Sequence, residues 1–225
     1  MPNLSDPHIS TGLDNRLSDF RRNALMMAGL AERSFDRARK GFEGRDEDWC
    51  NTVIADDEEL DSLEVSLDHE AMAFLVRFHP VAGDLRQVIA SMKFGGNLER
   101  VADQAVNIAR RTRKLITREP VAAAARLLPA FDMAQAMLRD AVAAYSDWDA
   151  ELARSLKERD RGLDRLVRLA GEELTSLMAE DTPNIPGYLD LVFIGRAVER
   201  IGDLAKSIGE DIFFAILAED LRHTG

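Results

Sequence analysis

The chain sets 40 Asp and Glu against 29 Lys and Arg in 225 residues, a formal net charge of −11, which excludes nucleic acid and anionic lipid as its main ligand and favours cations or basic protein surfaces. No apolar run approaches the ~20 residues needed to cross a bilayer, and the opening MPNLSDPHIS has no basic segment followed by an apolar stretch, so it is not a secretory signal. A single cysteine, Cys50, excludes an internal disulfide, suits a reducing cytoplasm and reads as a core residue beside acidic Asp46, Glu47 and Asp48.

Apolar residues make up 46% and aromatics only 6%, a balance that favours helices over sheets. Residues 1–11, rich in Pro, Ser and Asp, read as a flexible tail. Thr11 and Asp14 have capping-box spacing ahead of a first helix to about Lys40, where Leu13, Leu17, Phe20, Ala24, Met27, Ala31, Phe35 and Ala38 recur at helical intervals. Gly41 to Gly44 predicts a turn, and Asp46 caps a second helix that runs through Val53, Leu60, Leu63, Leu67 and Phe74 to His79-Pro80. Pro80 falls in the first turn of a third helix reaching about Leu115. Pro120 opens a fourth through Met133, Met137 and Val142, and Ser146-Asp147 starts a fifth that continues to about Met178. Thr182, Pro183, Asn184 and Pro186 break the chain before a sixth helix from about Gly187 to Arg222. No alternating apolar stretch or Asn-Gly hairpin signal predicts a strand. Arg110, Arg111, Arg113, Lys114 and Arg118 suit the negative end of the third helix, with docking of an acidic partner the alternative.

These helices repeat. Asp57, Leu60, Asp61 and Leu63 recur as Asp160, Leu163, Asp164 and Leu166, an offset of 103 residues shared by Ala38/Ala141 and Phe42/Tyr145. FGGNLERVADQAVNIAR matches IGRAVERIGDLAKSIGE at an offset of 100, the drift falling in the loops. The expected fold is therefore all-α, two tandem three-helix bundles over residues 12–119 and 120–225.

Within each copy, acids stand four apart, so each pair shares a helix face: Glu99/Asp103 and Glu199/Asp203, faced by Asp57/Asp61 and Asp160/Asp164. Glu99 and Asp103 point within about 40° of the direction taken by Leu85, Ile89 and Met92. The acids of the sixth helix, with Ser207, continue the direction of Leu189, Val192 and Phe193 in the same way. The carboxylates should thus face a groove between helices, where like charges need a counter-charge. Clustered carboxylates suit Mg²⁺, Mn²⁺ or Ca²⁺, and also hold iron or zinc. An isolated E-x-x-x-D is common by chance, and Arg100 and Arg200 offer simple surface ion pairs. Two matched pairs with acidic partners in matched helices favour metal. None of His8, His69, His79 and His223 completes the Glu-x-x-His pair of a di-iron bundle, and no nucleophile or phosphate-loop motif is present. Gly95-Gly96, matched by Gly195, suits close helix approach.

The doubled core Leu98–Asp103 and Val198–Asp203, with Pro80–Arg86 ahead of the first copy and the Asp57/Asp61 helix, resembles the PhoU family from about Leu13 to Phe214. The resemblance implies two three-helix bundles, usually in a homodimer, and a cytoplasmic, non-enzymatic negative regulator of phosphate uptake and phosphate-starvation signalling. It implies metal at the E/D-x-x-x-D faces, with no catalytic residues. It also implies as partners the ATPase of the phosphate ABC transporter and a sensor histidine kinase, which hold the protein at the inner face of the membrane with no span of its own. Glu99, Asp103, Glu199 and Asp203 are the expected principal ligands, with Asp57, Asp61, Asp160 and Asp164 beside them. Leu204 and Ser207 depart from the family pattern, where a polar residue and Asn are common, so the first copy is expected to be the stronger site. A metal-free helical adaptor and a metal-dependent phosphohydrolase are the alternatives.

Overall fold

The structure, a computed structural model, describes residues 7–221. Residues 1–6 of the expected tail and the side chains of Thr11 and Asp14 lie outside the described residues. Among the described residues there are seven α-helices, two short 3₁₀ turns and no strand. They are α1 (Pro7–Gly44), α2 (Glu47–Ala55), α3 (Asp57–Phe78), α4 (Ala82–Ile116), α5 (Leu128–Asp147), α6 (Ala150–Glu180) and α7 (Ile185–Leu217), with 3₁₀ turns at Ala122–Leu127 and Thr182–Asn184.

Both copies enter their second helix in the same way. Arg45 (φ 50°) and Trp148 (φ 51°) take the left-handed conformation. Asp46 and Asp149 then cap α2 and α6, each accepting from the backbone N–H groups two and three residues on. The side-chain oxygen thereby satisfies donors that the first turn leaves without partners. Cap and left-handed residue both obey the 103-residue offset.

Several expected boundaries are corrected. Gly41 to Gly44 continues α1, and the turn falls at Arg45, since a C-terminal left-handed residue can end a helix without glycine. The fifth predicted helix starts after Asp149 rather than at Ser146-Asp147, which still belong to α5. The second predicted helix is interrupted at Asp56, giving α2 and α3. Pro80 lies outside α4, whose N-cap is Val81. The first helix is described from Pro7, ahead of Thr11, and the last ends at Leu217 where Ala218 turns left-handed, short of Arg222.

In the first copy α1 packs on α3 and α4, and α3 on α4; in the second α5 packs on α6 and α7, and α6 on α7. The copies join along α4 and α7, which run antiparallel. Arg86 Nε donates to the Ala215 carbonyl at 3.0 Å, Lys93 pairs with Asp211 at 2.8 Å, and Arg111 pairs with Asp190 at 2.9 Å. The repeat counterpart of the Lys93–Asp211 contact is Phe193 with Arg111, whose guanidinium lies 3.9 Å from the ring centroid. A contact and its repeat image on the same helix pair mean the copies face each other about an approximate two-fold axis. A second seam joins α1 to α5, with Phe131 stacked against Phe35 and Phe42 at centroid separations of 5.8 and 5.1 Å. The buried apolar residues of both copies form one continuous core, Cys50 among them. Burial pushes the Cys50 thiol up to about 11, as expected of a packing residue.

Two of the five bases at the end of α4 are used internally. Arg111 pairs with Asp190 and Arg113 with Glu47, while Arg45 Nη2 donates to the carbonyls of Leu115, Ile116 and Arg118 that close the helix.

Candidate metal centre

Close approach of paired helices sets both acidic faces. An ideal Cβ at Gly95 would stand 2.5 Å from Leu67 Cδ2, so α3 and α4 meet more closely there than a side chain on Gly95 would allow. This is the role read for Gly95 from sequence.

The first face places all four expected acids and one more within electrostatic reach, Asp57, Glu64 and Glu99 half-buried and Asp61 and Asp103 exposed rather than in the expected groove. Burial, then Asp103, Glu64, Asp61 and Asp57 in that order, raise the Glu99 carboxyl from 4.5 to about 7. Asp57 is raised as well, first by burial and then by Asp61 and Asp103, with Arg110 the opposing charge. Glu64 is raised by burial, Asp68 and Asp61. Asp57, Asp61, Glu64, Glu99 and Asp103 make no ion pair among the described residues. Arg100, the neutralising base weighed from sequence, makes none either.

The second face gathers Asp160, Asp164, Glu199 and Asp203, and bases pair with three of the four, Asp164 making no ion pair among the described residues. Lys206 donates to Asp160 Oδ2 and, at 2.9 Å, to Asp203 Oδ1. Arg196 pairs with Glu199 at 2.8 Å, and Arg200 reaches Asp203 at 3.9 Å. Burial alone would lower the Lys206 ammonium, but its bonds to Asp160 and Asp203 hold it up at about 12. Asp160 is only 5% exposed, and burial raises its carboxyl against the pull of Lys206. Asp164 is raised by burial, Glu199 and Asp203, with Lys206 and Arg196 opposing. Ser207 donates to the Asp203 carbonyl at 2.8 Å, and Leu204 is buried in the core, so neither adds a ligand.

Two residues of this geometry were missed from sequence. Glu64 lies seven residues after Asp57 and three after Asp61, so helical spacing signalled it, but its repeat counterpart is Val167. Lys206, three after Asp203, corresponds to Val106, so the repeat carries no signal for it.

The fit of a metal differs between the faces. At the first, unopposed carboxylates and the raised Glu99 suit a hard cation in charge and donor type. No group of three or more His, Cys, Asp or Glu side chains among the described residues is already drawn together to hold an ion. Like charges without a counter-ion repel, so ligation there requires the side chains to close in. At the second, Lys206 and Arg196 already supply positive charge to Asp160, Asp203 and Glu199, which suits a metal less well, although Asp160 Oδ1 is buried with no hydrogen-bond partner among the described residues.

The PhoU domain family model matches residues 25–112 and again 127–212. The chain is 31% identical over 214 residues to the phosphate-specific transport system accessory protein PhoU homolog of Xylella fastidiosa strain Temecula1, covering 95% of this chain and 89% of that protein. It is 33% identical to the homolog of the same description from Pseudomonas putida, covering 97% and 86%. Among solved structures, PhoU from Pseudomonas aeruginosa superimposes with a TM-score of 0.89 at 30% identity over 92% of this chain and 99% of that one. The PhoU structure from Streptococcus pneumoniae shares the fold, with a TM-score of 0.87 at 22% identity over 93% and 99%. With the family pattern matched in both copies and relatives of this similarity along nearly its whole length, the chain belongs to the PhoU family.

Proposed function

We propose that the chain is an accessory regulator of a phosphate transport system, lowering phosphate uptake and phosphate-starvation signalling as an adaptor between the transporter's ATPase and a sensor histidine kinase. What supports the accessory role is family membership together with relatives named phosphate-specific transport system accessory proteins. In this reading the protein acts without catalysis, as a cytoplasmic homodimer recruited to the inner membrane by its partners. No helix among the described residues is long and apolar enough to cross a membrane.

The regulator carries a divalent cation at the first acidic face. The observation behind that is the meeting of Asp57, Asp61 and Glu64 on α3 with Glu99 and Asp103 on α4, where no base is paired to any of them among the described residues and the Glu99 carboxyl is raised to about 7. A cation there would offset the repulsion between α3 and α4 and tie the break at Asp56 to the middle of the central helix α4. The second reading, a metal-free adaptor, is favoured by the lack of three ready-placed ligands among the described residues.

Phosphate uptake in cells deleted for the chain tests the proposal. Deletion should leave uptake high in phosphate-rich medium, the intact chain should restore repression, and Glu99→Ala/Asp103→Ala should fail to restore it. Unchanged uptake on deletion rejects the regulator, and full repression by the double variant selects the metal-free adaptor.

A further inference from the structure

The two acidic faces share a pattern of carboxylates but differ in what stands among them. On α7, Lys206 reaches between the elements, donating to Asp160 on α6 and to Asp203 one turn back on its own helix. Its counterpart on α4, at the 100-residue offset, is Val106, which is buried in the core and brings no charge. Arg196 pairs with Glu199, and its counterpart is Gly96. A Cβ at Gly96 would stand in ordinary van der Waals contact with Glu64 Oε1, 3.6 Å away, so this position lies beside the first cluster and brings it no charge. The second face therefore carries two bases at positions where the first has an aliphatic residue and a glycine.

We propose that the Lys206 ammonium, bonded to Asp160 and Asp203, is the permanent cation of the second face, so that this protein takes metal at the first face alone. An ammonium and a divalent ion compete for the same carboxylate oxygens, and a covalently tethered cation in hydrogen-bonding contact is present at every metal concentration. Lys206 occupies one oxygen each of Asp160 and Asp203 and Arg196 holds Glu199, which leaves Asp160 Oδ1 as the one buried oxygen of this face without a hydrogen-bond partner among the described residues. The second face then acts as a fixed lock between α6 and α7, indifferent to ion supply, while the first responds to it. This inference deepens the metal reading of the first face, and the variants below separate the two.

The test is calorimetric titration of the chelator-stripped full chain with Mn²⁺. Wild-type binding should be lost in Glu99→Gln/Asp103→Asn and retained in Glu199→Gln/Asp203→Asn. Adding Lys206→Met to Glu99→Gln/Asp103→Asn should create a Mn²⁺ site that a further Asp203→Asn removes. Lys206→Gln, which keeps a hydrogen-bond donor without the charge, serves if Lys206→Met does not fold, with circular dichroism checking helix content. A folded Lys206 variant that gains no Mn²⁺ site overturns the proposal, as does wild-type binding that depends on Glu199 and Asp203. A wild type that binds no Mn²⁺ sinks the first-face reading, and a gained site in the Lys206 variant would still support the role of that residue.

Discussion

Glu99 and Asp103 lie one turn apart on α4, and after burial it is Asp103 that most raises the Glu99 carboxyl, to about 7. In the unfolded chain the same group titrates near 4.5. Below that value it is protonated in both states and the fold keeps the full benefit. As pH rises toward 7 the unfolded state releases the proton first, and stability falls through the window. Chelator-stripped protein should thus melt at a lower temperature at about pH 8 than at about pH 5, and Glu99→Gln should flatten this dependence. Equal slopes in the two proteins would show that Glu99 is not the group responsible.

Protons and cations compete for the same oxygens, so Mn²⁺ should raise the melting temperature more at about pH 8 than at about pH 5. Differential scanning fluorimetry with and without the ion reads this directly. A pH-independent shift would mean that the ion acts elsewhere on the chain.

Gly209 sets the separation of α6 and α7. An ideal Cβ there would stand 2.6 Å from the Ala153 carbonyl oxygen, a backbone atom that no rotamer change can move away, and 2.8 Å from Leu156 Cδ1. Gly209→Ala should cost about 1–3 kcal/mol, with Tm falling by about 2–4 °C per kcal/mol in a chain of this size. Gly171, inside α6 with nothing within 4 Å of its ideal Cβ, is the contrasting site. Gly171→Ala should hold or gain about 0.5–1 kcal/mol, because alanine loses less backbone entropy in a helix. Thermal melts of both variants check the pair.

The repeated caps carry a matched expectation. Asp46→Ala and Asp149→Ala each remove a carboxylate that accepts from two backbone N–H groups at a helix start and should each cost about 1 kcal/mol. Urea denaturation midpoints measure this. A loss at one position alone would show that the two copies do not share the device energetically.

Much of this architecture is local enough to be read from sequence. Phe20, Ala24, Met27, Ala31, Phe35 and Ala38 recur at three- and four-residue steps and all are buried on α1. Asp46 is a cap because its short carboxylate reaches donors only two and three residues away. Helix periodicity and the repeat placed Asp57/Asp61 opposite Glu99/Asp103, but the direction of Ile89, Leu189 and Phe193 is a poor guide to burial, since all three are exposed, as are Asp61 and Asp103. What escaped depends on tertiary partners or on residues without a local signal. Arg45, His79, Trp148 and Ala218 end helices left-handed without glycine, so Gly41 and Gly44 pointed to the wrong turn. No Gly or Pro marks the break at Asp56. Lys206 lies on an acidic face, and only the packing of α6 against α7 reveals that it is bonded to Asp160.

In the proposed function the first acidic face depends on a bound cation. Mn²⁺ binding to chelator-stripped protein, measured beside Glu99→Gln/Asp103→Asn, tests it most directly. Saturable binding by the wild type should disappear in the double variant while helix content is unchanged. Equal binding by the two proteins, or none by either, would contradict it.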